Sequence, residues 1–371
     1  MAEQFTTLAS LTVDGKGSYG IGASAVPFSK DLYTYLRITD IKDDGTLNLK
    51  GLKSVDDEKA SEYILKPNDI VFARTGASTG RNYFYDGMDG EFVYAGFLIK
   101  FSIDEKKVNP KYIKYFCQSK QYKDWINSFN TGSTRGNINA QTLGKMPIPL
   151  IERTTQDALV NILSSIDEKI KKNNEINNNL EQQAQAIYQQ MFIGNRNANW
   201  KVGKLSDLVA VKYGKDHKKL DDGCYPVYGS GGIMRYVEKP LYIGESVLIP
   251  RKGTLNNVMY VNGAFWSVDT MFYTEMLRPN IAKFVYHFVK GKDLTSLNAG
   301  SAVPSMTTNI LNAMQLYIPD DETLCIFEDT VTPMYVQMQE NENQSVILAK
   351  LRDTLLPKLM SGELDVSDID I

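Results

Sequence analysis

The sequence has few of the residues that enzymes most often use for acid-base or metal chemistry. Its 371 residues include two histidines, His217 and His287, and three cysteines. The cysteines, Cys117, Cys224 and Cys325, lie about a hundred residues apart, so neither a clustered metal site nor a disulfide framework is indicated, and we expect buried, reduced thiols. With so few imidazoles, we assign no catalytic and no metal-ligating residue.

Long apolar runs are also missing. No window approaches the roughly 18 uninterrupted apolar residues of a membrane span, and residues 1–5 lack the pattern of a signal peptide. The 43% of hydrophobic and 23% of charged residues are typical of a globular protein. We therefore expect a cytoplasmic protein without a membrane segment, and the length leaves room for two domains.

Motifs for nucleotide binding and methyl transfer are absent as well. There is no Walker loop, no G-x-G-x-x-G that opens a helix, and no Asn/Asp-Pro-Pro-Tyr/Phe tetrapeptide. Residues 76–80, Gly-Ala-Ser-Thr-Gly, match the G-x-S-x-G nucleophile elbow, but an aromatic, strand-like run follows where that motif requires a helix. A hydrolase is therefore disfavoured, and the glycines are expected to let a loop turn tightly.

The net charge of -3 is unevenly distributed along the chain. Residues 1–150 carry 19 basic and 17 acidic side chains, and residues 196–320 carry 15 and 10. The segments 151–195 and 321–371 are acidic, with 4 basic against 6 acidic and 3 basic against 11 acidic side chains. Mildly basic domains give weak support to a nucleic-acid partner, with further phosphate contacts supplied by another protein.

An internal repeat with a period near 168 residues runs through the chain, and its clearest blocks are helical. Residues 155–192 have almost no glycine or proline and show a seam with alternating spacings of four and three residues. The seam positions are Leu159, Leu163, Ile166, Ile170, Asn173, Asn177, Leu180, Ala184, Ile187 and Met191. The pattern predicts a helix about 57 Å long at roughly 1.5 Å per residue.

A second seam follows 168 residues later. Its positions are Phe327, Val331, Met334, Met338, Asn341, Ser345, Leu348, Arg352, Leu355 and Leu359. The polar centres coincide, Asn173 with Asn341 and Asn177 with Ser345. Apolar ends around a polar centre predict two antiparallel helices, because the polar layers then face each other and fix the register. The prolines at 333 and 357 are expected to kink or shorten the second helix.

The segments between the helices also correspond. Residues 67–76 indicate a turn, a buried strand and a loop with Arg-x-Gly, and residues 243–253 have the same order. Short alternating runs of aromatic and β-branched residues, such as 83–85 and 92–101, predict mainly β cores. A few helices are expected, for example over residues 110–128.

The order of these blocks predicts an α+β fold. Two mainly β domains are separated by two long, coiled-coil-like antiparallel helices, and the whole forms a pseudo-twofold internal repeat. The predicted boundaries are 1–150 for the first domain, 151–195 for the central helix, 196–320 for the second domain, and 321–371 for the C-terminal helix and tail.

Loops in both domains carry groups that suit base edges or phosphates. In the first domain they are Arg74, Thr75, Ser78, Thr79, Arg81, Ser133, Thr134, Arg135 and Asn137. In the second they are Lys215, His217, Lys218, Lys219, Tyr228, Ser230, Arg251, Lys252 and Asn256. Arginine bonds guanine bidentately, asparagine does so with adenine, and hydroxyls suit phosphates. Each residue alone is equally well explained as part of a solvated loop, but as a group, placed equivalently in two domains, they predict a DNA-binding surface.

Three segments resemble sequences of a known protein family. Residues 199–208, Asn-Trp-Lys-Val-Gly-Lys-Leu-Ser-Asp-Leu, resemble the start of a target-recognition domain. Residues 225–233, Tyr-Pro-Val-Tyr-Gly-Ser-Gly-Gly-Ile, are similar to a segment that recurs in such domains. Residues 355–365, Leu-Leu-Pro-Lys-Leu-Met-Ser-Gly-Glu-Leu-Asp, look like the C-terminal signature of that family, the Type I restriction-modification specificity subunits. The first domain lacks both recognition-domain segments.

The resemblance implies a non-catalytic subunit that binds double-stranded DNA. Each recognition domain is expected to read half of a bipartite target, and the helices to set the spacer and dock two modification subunits. Those partners are expected to carry S-adenosylmethionine and methylate adenine, and the restriction subunits that join the complex to use ATP; no cofactor is assigned to this chain. The alternatives are a scaffold protein without DNA readout and a stand-alone nuclease or methyltransferase.

Overall fold

The chain divides into two compact units, each with one β-rich domain and a segment of both long helices. The first unit comprises residues 1–172 and 344–371, and the second comprises residues 173–343. The computed structural model describes residues 5–49, 51–129, 136–297 and 305–364. No helix within these ranges is both long and apolar enough to cross a membrane.

Two four-stranded sheets form most of the first domain. Its strands are β1 (Phe5–Thr7), β2 (Ser18–Tyr19), β3 (Ala25–Val26), β4 (Tyr33–Leu36), β5 (Lys53–Val55), β6 (Asp69–Ala73), β7 (Asn82–Tyr85), β8 (Phe92–Tyr94), β9 (Leu98–Ser102) and β10 (Pro147–Pro149). The sheets have the orders β2-β9-β6-β7 and β3-β5-β4-β8. Strand β6 is buried along its whole length, as its apolar sequence predicts.

Three short helices pack on the β2-β9-β6-β7 sheet of the first domain: α1 (Pro110–Phe116), α2 (Lys120–Asn127) and α3 (Ala140–Gly144). The single helix expected over residues 110–128 is thus divided in two. The side chain of Ser119 accepts a hydrogen bond from the backbone N–H of Tyr122 and caps the start of α2. A serine that competes for backbone hydrogen bonds in this way ends one helix and begins the next.

The second domain has one six-stranded sheet and a separate two-stranded ribbon. Its strands are β11 (Lys201–Lys204), β12 (Val209–Tyr213), β13 (Asp222–Gly229), β14 (Gly232–Val237), β15 (Tyr242–Pro250), β16 (Met259–Ser267), β17 (Met271–Met276) and β18 (Gln315–Ile318), and its short helices are α5 (Ala282–Lys290) and α6 (Thr308–Asn312). The order is β12-β17-β15-β16-β13-β14. The long strand β16 pairs with both β15 and β13. In the first domain the corresponding pairings are made by two separate strands, β7 with β6 and β8 with β4.

Each domain is closed by a two-stranded ribbon that joins its beginning to its end. In the first, β1 pairs antiparallel with β10, and in the second β11 pairs antiparallel with β18. Strand β4 pairs in parallel with β8, as β13 does with β16. The first domain therefore has the strand that the Tyr-Pro-Val-Tyr segment forms in the second, with a different sequence.

The long helices are α4 (Arg153–Tyr188), which continues as a π-helical turn (Gln189–Gly194), and α7 (Asp321–Met360). In the first unit, Leu159 and Leu163 of α4 share a buried cluster with Leu356 and Leu359 of α7. In the second unit, the ring of Phe192 lies 5.1 Å from that of Phe327. The start of each helix packs against the end of the other, which confirms the antiparallel pair. Pro333 and Pro357 both lie inside α7, so neither shortens it.

The expected polar layer is present where the two helices pair in the second unit. Asn173 Nδ2 donates to the backbone oxygen of Asn341 at 3.2 Å, and Asn341 Nδ2 donates to Asn177 Oδ1 at 2.8 Å. Asn177 Nδ2 in turn donates to the backbone oxygen of Met338 at 3.0 Å. Because a one-turn slip would break these bonds, the layer fixes the register of the pair.

A half-buried carboxylate fastens the helix pair of the first unit to its domain. Asp167 of α4 accepts from Lys114 of α1 at 2.9 Å and from Arg352 of α7 at 3.0 Å. Burial alone would raise the pKa of Asp167, but Lys114 and Arg352 outweigh it and hold that pKa below its usual value. One ionised side chain thereby joins three helices.

A buried ammonium has the corresponding role in the second unit. Lys283 of α5 is 4% exposed and pairs with Glu245 of β15 at 3.0 Å and with Glu328 of α7. Its Nζ also lies 5.1 Å from the centre of the Tyr260 ring. Burial raises the pKa of Glu328, and the charge of Lys283 opposes that rise. These ion pairs stabilise the unit only while Lys283 and its acidic partners are charged.

The cysteines differ from expectation in their exposure. Cys117 is buried, but Cys224 and Cys325 are exposed. Cys224 lies in the exposed first part of β13, and Cys325 lies on α7, where its sulfur accepts from Asn280 Nδ2 at 3.1 Å. Spacing along the chain identified all three as unpaired thiols without indicating which face of a strand or helix they occupy.

Replacing Lys283 by methionine keeps the volume of the side chain but leaves two acidic groups near each other in the second unit. We expect Lys283→Met to lower the free energy of unfolding by about 3–5 kcal/mol. Lys239→Met is the matched control, because Lys239 pairs with Glu238 at 3.7 Å on the surface; it should change stability by less than about 0.5 kcal/mol. Urea unfolding of both variants tests this, and equal losses would contradict it.

His287 gives the second unit a pH-dependent stability. It is fully buried between Gln185 and the hydroxyl of Tyr335, and burial lowers its pKa to about 4, with Glu181 opposing and Lys290 adding to the shift. The unfolded chain takes up this proton near pH 6.5 and the folded one near pH 4, so stability is lost as the pH falls between them.

The comparison with His287→Gln isolates this contribution. The stability advantage of the wild type over the variant should shrink between pH 6.5 and 4, by at most about 1.4 kcal/mol per pH unit. Above pH 7.5 it should be constant. Urea unfolding at a series of pH values measures the difference, and a pH-independent difference would show that the histidine is not neutral in the fold.

Candidate nucleic-acid interface

The candidate loop of the first domain begins where the buried strand β6 ends. Arg74 is the next residue; its backbone N–H donates to Phe97 at 3.0 Å, and its carbonyl accepts from the N–H of Ile138 at 2.9 Å. Thr75 forms an isolated bridge with Asn137. The structure therefore brings Asn137 next to Arg74 and Thr75, although it lies far from them in the sequence.

The neighbouring candidates of the first domain are engaged inside the protein. Thr79 donates its hydroxyl to the carbonyls of Gly76 and Gly136, at 2.8 and 2.9 Å, and Ser78 is buried. The Arg81 guanidinium donates to both carboxylate oxygens of Asp43, at 2.7 and 3.1 Å. These contacts hold the loop in shape, and contact of these three residues with DNA stays a prediction. Ser133, Thr134 and Arg135 lie outside the described residues.

The side chain of Arg74 contacts Tyr19, a residue that was not predicted from the sequence. The Arg74 guanidinium stacks 4.9 Å from the centre of the Tyr19 ring, and its Nε is buried without a hydrogen-bond partner among the described residues. The Tyr19 hydroxyl accepts from the N–H of Ala140 at 3.1 Å, which fixes the ring. Stacking on an aromatic face restricts the rotation of a guanidinium and leaves its edge free to bond.

The loop of the second domain repeats this arrangement. Arg251 follows β15; its N–H donates to Thr270 at 2.9 Å, and its carbonyl accepts from Met306 at 2.9 Å. Lys252 bridges to Ser305, as Thr75 does to Asn137. The Arg251 guanidinium lies 5.4 Å from the centre of the Tyr213 ring, and its Nη1 also donates to the carbonyl of Asp269 at 3.2 Å.

The tip of the β13–β14 hairpin lies against the second half of this loop. Asn257 Nδ2 donates to the carbonyl of Ser230 at 2.8 Å, which places Ser230 beside the segment that carries Lys252 and Asn256. Asn256 is engaged with Asp293 at 3.1 Å. Tyr228, further down the hairpin, packs its ring against Phe265, and burial raises its pKa to about 12. Tyr228 therefore has a packing role.

The basic segment of the second domain follows Tyr213 directly. Lys215 is held by its backbone, with its N–H donating to Ser267 and its carbonyl accepting from Trp266 Nε1, both at 2.8 Å. Lys215, Lys218 and Lys219 are exposed, and His217 is half-buried. Four of the predicted residues therefore extend the surface that begins at Arg251 and Tyr213.

A glycine follows each of these tyrosines, and neither has room for a side chain. A Cβ on Gly20 would lie 2.2 Å from the carbonyl oxygen of Tyr94, and one on Gly214 would lie 2.0 Å from that of Val268. The Tyr-Gly pairs at 19–20 and 213–214 are the signal in the sequence that could have identified both tyrosines. They were missed because the repeat there is only two residues long.

Comparison of the chain with known proteins identifies a family. The model of the Type I restriction modification DNA specificity domain matches residues 29–182 and again residues 197–347. The chain is 20% identical, over 72% of both chains, to the Type I restriction enzyme MjaIX specificity subunit of Methanocaldococcus jannaschii. It is 24% identical to the HindI specificity subunit of Haemophilus influenzae, over 81% of this chain and 87% of that one.

A solved structure has the same fold over nearly the full length. It is the S subunit of a Type I restriction-modification system from M. genitalium, with a TM-score of 0.56, 18% identity, and 96% of each chain covered. The agreement extends over both β-rich domains and both long helices, so the whole chain follows this architecture.

The tight packing around Gly20 provides a test of the position of β2, the strand that carries Tyr19. Gly20→Ala should destabilise the first unit by roughly 1–3 kcal/mol, because the strand must move away from two carbonyl oxygens. Gly22→Ala is the matched control, since nothing lies within 4 Å of its Cβ; it should change stability by about 0.5 kcal/mol or less. Urea unfolding distinguishes them, and a tolerated alanine at position 20 would contradict the placement of β2.

Proposed function

The chain belongs to the Type I restriction modification DNA specificity domain family, and from this we propose that it is the DNA-recognition subunit of a Type I restriction-modification complex. Each domain reads one half of a bipartite target, and the two long helices set the spacer between the halves. The observation that carries this proposal is the repeated loop, because Arg74 and Arg251 occur in the same backbone setting in two separate domains.

We propose double-stranded DNA and two modification subunits as the direct partners, with restriction subunits joining through the complex. The modification subunits supply S-adenosylmethionine and methylate adenine, and the restriction subunits use ATP. We also propose that the complex acts in the cytoplasm, where it meets its DNA. Both long helices present exposed apolar side chains, such as Ile176 on α4 and Ile347 on α7, which suit helical partners.

We further propose that this chain performs no chemistry itself. The serine of the elbow-like sequence, Ser78, is buried, and both histidines of the chain lie in the other unit. His287 is engaged on both ring nitrogens. A methyl-transfer assay should therefore detect no activity with the isolated chain and restore activity when the modification subunits are added.

A gel shift distinguishes DNA recognition from the scaffold alternative. The complex of this chain with its modification subunits should bind one DNA sequence in preference to others, and the affinity should fall as salt rises because phosphate contacts release counterions. A scaffold would give either no shift or a shift without sequence preference. Modification subunits without this chain are the control.

Exchange of a domain tests the division of labour. Replacing residues 199–320 by the second recognition domain of another specificity subunit should change one half of the methylated motif and leave the other half and the spacer length intact. Methylation sequencing measures all three. A change in both halves would contradict independent reading by the two domains.

A further inference from the structure

The two domains share one arrangement of side chains at the same place in their sheets. Tyr19 of β2 stands in register with Ile99 of β9, and Ile99 with Phe72 of β6. Arg74 follows two residues after Phe72 and reaches back over the ring of Tyr19.

In the second domain, the same row is made by Tyr213 of β12, Phe272 of β17 and Ile249 of β15. Arg251 follows two residues after Ile249 and stacks on Tyr213. All these strand pairs are antiparallel in both domains.

The sequence around each pair repeats as well. A tightly enclosed glycine follows each tyrosine. Each arginine stands in Arg-x-Gly, and the glycines, Gly76 and Gly253, have φ of 73° and 84°, which lets the chain turn directly after the arginine. The same arrangement at the same place in both domains indicates one shared function.

These arginines are not used as structural ion pairs. Of the nine arginines that the structure describes, six pair with a carboxylate. The remaining three stack on tyrosines: Arg74, Arg251, and Arg196 on Tyr317 at 3.9 Å. Arg196 follows the end of α4 and has no counterpart in the first domain's sheet.

The function of the arginine and tyrosine in each domain follows from what both domains must do on DNA. Domains that read different half-sites need different groups for base edges, but both must hold the same sugar-phosphate backbone. Phosphate contacts fix the register of a protein on DNA and carry no sequence information. An oriented guanidinium fork bonds a phosphate bidentately.

We infer that Arg74 on Tyr19, and Arg251 on Tyr213, are phosphate clasps that hold each recognition domain on the DNA backbone whatever the base sequence. The arginine binds the phosphate, and the tyrosine is a positioning residue that orients the guanidinium. Base readout then falls to residues that differ between the domains. This inference rests on the proposed function and adds which contacts are independent of sequence.

The test measures binding of the complex with modification subunits to two labelled duplexes over a range of salt concentrations. One duplex carries the motif found by methylation sequencing, and the other has both half-sites scrambled. Arg74→Gln should weaken binding to both duplexes by a similar factor, roughly tenfold. It should also reduce the slope of log K against log salt by about 0.9, the value for one lost phosphate contact. The methylated motif should not change.

Graded variants separate the clasp from a role in folding. Arg74→Lys should keep the salt slope, because the charge remains, and lose part of the affinity with the fork. Tyr19→Phe should keep most of the affinity, because the ring remains although the hydrogen bond from Ala140 is lost, whereas Tyr19→Leu should weaken binding to both duplexes further. Arg251→Gln should repeat the result in the second domain. Arg196→Gln is the matched control, stacked on a tyrosine outside this arrangement, and should leave the slope unchanged.

Two results would overturn the inference. If Arg74→Gln relaxed the motif at one base pair, that arginine would read a base; if the salt slope stayed unchanged, it would not contact phosphate. In both cases the wild-type complex would still bind its motif selectively. A wild-type complex without any sequence preference would instead contradict the proposed function.

Discussion

The fold depends on the antiparallel pairing of two long helices. An amphipathic helix gains most of its stability from packing its apolar face, so neither α4 nor α7 is expected to be stable alone. In each unit a segment of one covers a segment of the other, and a charged side chain then fastens the pair to the β domain: Asp167 in the first unit and Lys283 in the second. The domains are thus attached to the pair by ions that are costly to leave unpaired.

The helices were predictable from sequence because their information is periodic. The seam at alternating spacings of four and three identified both helices, and the coincidence of Asn173 with Asn341 predicted the antiparallel layer that the structure contains. Strand β6 and the buried second half of β15 were equally predictable, since short apolar runs bounded by turn residues indicate them directly.

The side-chain contacts of the candidate site could not be predicted from the sequence, because they join distant parts of the chain. Tyr19 and Arg74 are 55 residues apart and meet only because β9 lies between their strands. The same holds for the pairing of Arg81 with Asp43, which engages a side chain that sequence alone presents as free. Exposure of Cys224 and Cys325 likewise depends on which face each element turns outward. Spacing indicates the composition of a loop, and strand register decides which of its groups are available.

The internal repeat gives the molecule two versions of one design, and their comparison separates common from individual features. The common features are the closing ribbon, the Tyr-Gly pair and the Arg-x-Gly turn. The individual ones are the basic segment after Tyr213 and the glycine-rich hairpin tip at Ser230, which the first domain lacks. On this account the common features hold DNA and the individual ones choose its sequence.

The central claim is that two domains read two halves of one target. Methylation sequencing of the host genome with and without the gene for this chain tests that claim most directly. The account predicts a motif that is lost with the gene and that consists of two short defined halves separated by a fixed stretch of unspecified bases. A single continuous motif, or methylation that does not depend on the gene, would contradict it.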